Sequence, residues 1–294
     1  MYKIISDSSC DLTIEAAKAY DVEVVPFYIR IGEKEDKENV NLSVKEFYQF
    51  MVDHKDEFPK TSTPSIEDYT TVFKKYLDQE IDIICICITS KFSGSYNSAR
   101  LAKESLEDDY PDRKITVIDC TFNTVLQGTY VREAAKLSKE VDYDECVERI
   151  MKVRDTGRIF FTVGSFDYLI HGGRIGKVAG VAAKTLGIKP LIVLKEGEIF
   201  ADGVARGRKR SIKKVIENAI KHMENNQIDP SDYVFSVGYG YDEEEGKQVL
   251  NLVKETLSSH YPQSSIDISL LPIGATIGVH TGPYPIGMTL IKKP

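Results

Sequence analysis

Ile81-Asp-Ile-Ile-Cys-Ile-Cys-Ile-Thr89, running on into Ser93-Gly-Ser-Tyr-Asn-Ser98, decides the fold. The first stretch is a continuous apolar run rich in β-branched side chains, which suits a strand covered on both faces. The second places a glycine and several hydroxyls ahead of a helix expected over 95–106. A buried strand passing directly into a helix is the repeating unit of a parallel α/β sheet.

The same rhythm extends outward from it. Residues 2–6, 22–31 and 114–119 read as strands, and 11–20, 43–53, 66–77, 125–139 and 143–154 as helices. Residues 32–37 read as a solvated turn and 61–65 as a loop feeding a helix. After Gly157 the pattern changes. Strands are expected at 158–163, 190–195, 198–204, 232–239, 265–271 and 287–291, with a hairpin turn at 195–198 and long helices at 210–224 and 243–258. The expected fold is α/β with two domains. An N-terminal α/β/α domain with a mostly parallel sheet spans 1–156, and a smaller α+β domain spans 157–294.

Composition narrows the function. The chain has 294 residues, 38 Lys and Arg against 45 Asp and Glu, and a net charge of −7. That deficit of positive charge speaks against a nucleic-acid partner. No apolar run nears the ~20 residues that span a bilayer, so no integral membrane segment is expected. Five cysteines with no CxxC pair suit a reducing, cytoplasmic setting and no zinc. No cofactor site emerges. Gly176-Lys177 is followed by Val178, so no phosphate loop forms. Gly238-Tyr-Gly240 has Glu243 where a third glycine belongs, and the acidic run there repels a pyrophosphate. GxSxG and HExxH are absent, and the five histidines have no metal-ligand spacing.

Four segments carry chemistry, each with a plainer alternative. Lys60-Thr-Ser-Thr-Pro-Ser65 precedes a helix, where exposed amides and the helix dipole attract an anion or the hydroxyls merely cap. Ser93-Gly94 follows a parallel strand, where ligands of open α/β sheets bind; Ser93 can donate to a ligand oxygen or serve as a cap. Gly172-Gly173-Arg174-Ile175 begins a run of five glycines reaching Gly187, which suits close backbone packing, a narrow apolar passage or a domain-joining turn. Gly274 to Pro283 is a Gly-rich loop around His280 and Thr281, lining a cleft or holding a structurally satisfied histidine. The basic stretch Arg206 to Arg210 joins them, its arginines set against the helix dipole.

In this order and spacing, these segments, together with Ile5-Ser-Asp-Ser-Ser-Cys-Asp11, resemble the DegV family of bacterial fatty-acid-binding proteins, which includes the fatty-acid-binding subunits of fatty acid kinase. The resemblance covers essentially the whole chain. It implies a long-chain fatty acid lying between two domains, its tail in an apolar tunnel flanked by Gly173, Arg174 and Ile175. Carried onto this chain, Thr61, Ser62, Ser93 and His280 contact the carboxylate, with Arg206, Gly94 and Thr281 close to the head group. It also implies a non-catalytic carrier, with a separate ATP-binding kinase subunit forming the acyl phosphate on a lipid destined for phospholipid metabolism. Two departures stand out: Tyr284-Pro285 after the Gly-Pro pair, and Cys120-Thr-Phe-Asn123 in place of a Ser-rich segment. Two other classes stay open. One is a serine acyl hydrolase or transferase using Ser93 with His280 as base. The other is a structural or regulatory domain that binds no lipid.

Overall fold

The computed structural model describes residues 1–181 and 188–294; Gly187, last of the glycine run, lies outside the described residues. The first half follows the order β1 (Tyr2–Asp7), a 3-10 turn at Ser8–Cys10, α1 (Ile14–Ala19), β2 (Val22–Val25), β3 (Tyr28–Ile31), β4 (Lys34–Lys37), α2 (Val44–Asp53), β5 (Lys60–Ser62), α3 (Ile66–Leu77), β6 (Asp82–Cys87), α4 (Ser95–Glu104), β7 (Ile115–Asp119), α5 (Thr124–Leu137) and α6 (Tyr143–Arg154). Strands β2-β1-β6-β7 form an all-parallel sheet. The apolar run over 81–89 is its central β6, covered by helices on both faces. Ile83 and Cys85 face α3 and α4, while Ile84 and Ile86 face α5 and α6.

The expected single strand over 22–31 is two strands in two sheets. Pro26 interrupts it, since proline brings no N–H to a ladder. Beyond it, β3 joins β4 and β5 in a small antiparallel sheet of order β4-β3-β5. The residues expected as turn (32–37) and loop (61–65) therefore supply two edge strands. Their charged and hydroxyl side chains hide any apolar alternation, and the backbone pairing comes from β3.

The second half runs β8 (Arg158–Thr162), α7 (Asp167–His171), β9 (Ile188–Lys195), β10 (Glu198–Arg206), α8 (Arg208–Asn225), β11 (Tyr233–Tyr239), α9 (Glu243–His260), β12 (Asp267–Pro272), α10 (Ala275–Thr281) and β13 (Ile286–Lys292). Its six strands form one mixed sheet in the order β10-β9-β8-β13-β11-β12. Amphipathic α8 and α9 cover one face through Ile212, Val215, Ile216, Val249, Val253 and Leu257. The other face looks toward α5, and one core cluster joins Ile84, Ile86 and Leu126 to Ile159, Leu194 and Ile291. The second sheet thus begins one residue after Gly157, but the two halves share a core rather than a linker.

A further expectation is overturned here. The Gly-rich segment around His280 is a helix, α10, not a loop. Its Thr, Ile, Val and Gly residues are weak helix formers, and so short a helix depends on tertiary packing. That packing is tight: a β-carbon on Gly278 would lie 2.7 Å from Phe47 and 2.9 Å from the Tyr48 hydroxyl, both on α2. In this way α10, from the second half of the chain, is seated in the first.

Candidate functional site

Between the parallel sheet, α10 and the inner face of the mixed sheet lies a cavity of about 940 Å³, its open mouth included. Most of its wall is apolar. Phe27, Ile88 and Phe92 come from the first half, Ile273 and Ile277 from around α10, and Ile159, Phe161, Leu194, Ile199 and Ile286 from the mixed sheet. Strand alternation explains Ile159 and Phe161, which face inward, while Phe160 between them packs on the helices outside; Ile286 shares that outer packing and touches the cavity at the start of its strand. The polar part of the wall includes Thr61, Thr63, Ser93, Arg174, His280 and Thr281.

His280 is the centre of that polar group. Its Nε2 lies 3.1 Å from the Thr61 hydroxyl, across 219 residues of chain. Its Nδ1 is buried without a partner among the described residues. Burial, and then the Arg174 charge, push the imidazole from an ordinary 6.5 down to about 4. At neutral pH the ring is therefore uncharged. The Arg174 guanidinium is fixed by three carbonyl contacts. Nε and Nη2 donate to Phe92 O at 3.2 and 2.9 Å, and Nη1 donates to Gly172 O at 2.7 Å. Arg174 thereby ties the loop carrying Ser93 to the glycine pair. Ser93 Oγ accepts the Ser95 amide at 3.2 Å, which leaves its own proton for an acceptor in the cavity. Hydroxyl, neutral imidazole and guanidinium all offer protons, so this end suits a carboxylate.

Buried polar groups hold these residues from behind. Asp7 accepts from Ser95 Oγ (2.7 Å), Ile88 N (3.0 Å), Gln127 Nε2 (2.9 Å) and Ser9 Oγ (2.5 Å). It anchors the helix start beside Ser93. Asp11 and Glu38 are both buried, and burial raises both carboxyls, for Asp11 with the Glu38 charge adding to it. Thr124 Oγ1 donates to Asp11 at 2.5 Å, and the Thr276 amide donates to Glu38 at 3.1 Å. Both threonines line the cavity. Thr121 and Thr124 have φ of 65° and 55°. These are unusual values for β-branched residues and mark backbone held in place by its surroundings. They fall in and just after the Cys120 to Asn123 segment that departs from the expected pattern.

Of the sequence candidates, Thr61, Ser93, Arg174, His280 and Thr281 meet at this one cavity. Others do not reach its wall. Ser62 is exposed and turned toward Glu35, because Thr61 and Thr63 take the inward side of the extended chain. Gly94 is exposed at the start of α4. Arg206 is exposed at the far end of β10, well along the strand from the lining residue Ile199. Gly173 is an exposed turn with φ +66°, and Ile175 packs into the core shared by the two halves. Sequence reasoning missed Thr63, Asn123, Thr124 and Thr276, which line the cavity. Only the alternation of Thr61 and Thr63 about Ser62 carried a signal for any of them.

Comparison with known proteins agrees with this geometry. A DegV domain-containing protein of Clostridium acetobutylicum is 33% identical over 294 residues, covering 99% of this chain and 98% of its own. The crystal structure of a stearic acid-binding protein from Eubacterium ventriosum has 42% sequence identity and a TM-score of 0.91, covering 100% of this chain and 99% of that one. A fatty-acid-binding DegV family protein from Thermus thermophilus has 25% identity and a TM-score of 0.84, covering 99% of each chain. The family model described as "Uncharacterised protein, DegV family" matches residues 1–293. A match of that length, on a fold whose paired sheets enclose one apolar cavity with a proton-donating end, makes this chain a member of the DegV family.

Proposed function

We propose that this protein binds a long-chain fatty acid, tail in the apolar cavity and carboxylate at Thr61, Ser93 and His280, and presents the carboxylate to a separate ATP-dependent kinase subunit. The observation that carries the reading is one cavity with a mostly apolar wall into which the paired Thr61 and His280, with Ser93 and Arg174, also reach. The stearic acid-binding relative supports the same ligand class. Burying a methylene contributes about 0.8 kcal/mol, so roughly fourteen contribute up to ~11 kcal/mol before ordering costs. Tail burial supplies most of the affinity. The head-group donors then need only offset carboxylate desolvation. Neutral donors leave the carboxylate nucleophilic, which suits acyl-phosphate formation.

The carrier reading fits His280 better than a hydrolase does. Nε2 is engaged by Thr61, and Nδ1 has no carboxylate to orient it. A general base of the serine-hydrolase kind requires that third group. The carrier acts in the cytoplasm, where kinase and ATP are found. Organic extraction of purified protein followed by mass spectrometry tests the ligand, with about one fatty acid per chain expected. Lipid-free protein that also takes up no fatty acid overturns the reading. Acyl phosphate is expected only when an ATP-binding kinase subunit is added. Ser93→Ala is expected to weaken head-group fixation by about 1–3 kcal/mol, the cost of an unmet buried partner.

A further inference from the structure

Thr289 stands in the cavity wall on β13, three residues beyond Ile286, about 10 Å along an extended strand. It is 1% exposed, and its hydroxyl is buried with no hydrogen-bond partner among the described residues. Its backbone belongs to the ladder, with Ile159 opposite on one side and Ser236 on the other. The nearby hydroxyls are engaged. Ser236 Oγ lies 2.7 Å from Thr129 Oγ1, and Thr129 Oγ1 donates to Val125 O. Elsewhere in the cavity wall, Thr124 and Thr276 donate to Asp11 and Glu38, and Thr281 donates to Ile277 O. Thr289 alone among these brings an unanswered hydroxyl to a stretch otherwise built by Ile159, Leu194 and Ile199. Valine has the same shape there without the cost of an unmet polar group.

Resting on the fatty-acid reading, we infer that the ligand class includes acyl chains bearing a hydroxyl along the tail, recognised by Thr289 Oγ1. A ligand hydroxyl both donates and accepts, and so does threonine, so the pair satisfies each other away from water. An unsubstituted chain leaves the threonine unpaired. A hydroxylated chain in a wall lacking that group meets the same penalty, which makes the discrimination steep.

The test is competitive binding of stearate and a series of positional isomers of hydroxystearate to wild type, Thr289→Val and Thr289→Ser. One isomer is expected to bind wild type at least about fivefold more tightly than its neighbours in the series. Thr289→Val should remove that margin, while Thr289→Ser should retain it. If Thr289→Val does not fold, the wild-type margin and its retention in Thr289→Ser decide the question. Stearate binding with no favoured isomer, or with a margin untouched by Thr289→Val, overturns this inference alone. Failure to bind stearate and every isomer overturns the fatty-acid reading and this inference with it.

Discussion

Gly172 faces His280 so closely that a β-carbon on it would stand 2.2 Å from the imidazole Nδ1. The backbone there has φ −74°, which any residue adopts, so glycine is required for space alone. The glycine pair that ends α7 and the histidine that ends α10 are one unit, packed ring against backbone. Arg174, two residues on, closes the unit by holding both Gly172 O and the Phe92 carbonyl next to Ser93.

Gly172→Ala is therefore expected to push the imidazole away from Thr61. Overpacking of this kind costs about 1–3 kcal/mol. Fatty-acid affinity should fall by about tenfold, alongside a lower Tm. Gly94→Ala, where a β-carbon meets nothing within 4 Å among the described residues, should leave both nearly unchanged. Calorimetric titration and thermal melts of the two variants check the contrast.

Thr61→Val removes the hydroxyl that engages His280 Nε2 and leaves the ring free to turn. The expected loss of carboxylate binding is about 1–2 kcal/mol. Thr61→Ser should recover most of it, while Ser62→Ala, on the exposed side of the same strand, should change nothing. Fatty-acid titrations of the three variants suffice. An effect of Ser62→Ala equal to that of Thr61→Val would reverse the assignment of strand faces.

The pH dependence of His280 follows from its depressed pKa. The unfolded chain takes up a proton near 6.5, whereas the folded ring resists until about 4. Stability is thus intact above 6.5 and is lost as pH falls from there toward 4, by at most about 3 kcal/mol. The difference between wild-type and His280→Gln stability, measured by denaturant titration from pH 8 to pH 4 (roughly the window the shift opens), isolates the imidazole. A flat difference would show that the ring titrates freely.

Asp11 carries the opposite sign. Burial and the Glu38 charge raise its carboxyl, so the folded state holds a proton that the unfolded state releases. Its contribution is present at low pH and lost as pH rises through the folded value. The Asp11 loss sets in once pH passes the ordinary carboxyl value of 3.8, so it opposes the rise that His280 gives between about 4 and 6.5. Asp11→Asn should therefore make stability climb more steeply with pH across that range than in the wild type, whereas His280→Gln should flatten it, and urea titrations of the two variants distinguish the groups.

The regular elements were legible where one physical signal dominated. The apolar run over 81–89 is β6 because a strand covered on both faces has no polar side to show. The helix over 66–77 appears as expected, since Ser65 and Asp68 make a capping box and Tyr69, Phe73, Tyr76 and Leu77 share a face. The small sheet was not legible, because β4 and β5 are polar edges paired to β3 through backbone alone. Nor was α10, whose helicity comes from the fit of Gly278 against Phe47 and Tyr48.

From the residues alone came the α/β architecture, the change of pattern at Gly157, and the ordered motifs that mark the family. Those properties are local or sequential, and each is carried by short-range periodicity or spacing. Tertiary structure alone decided which motif residues form the site. Thr61 and His280, 219 positions apart, meet because α10 docks into the first half of the chain. Arg206 stays outside because β10 runs its far end to the surface. Thr289 became a candidate contact only because the Ser236 and Thr129 hydroxyls beside it pair with each other while its own finds no partner among the described residues. Partnerships between distant side chains depend on how sheets and helices close around a cavity, and that closure is a property of the packed core rather than of any segment.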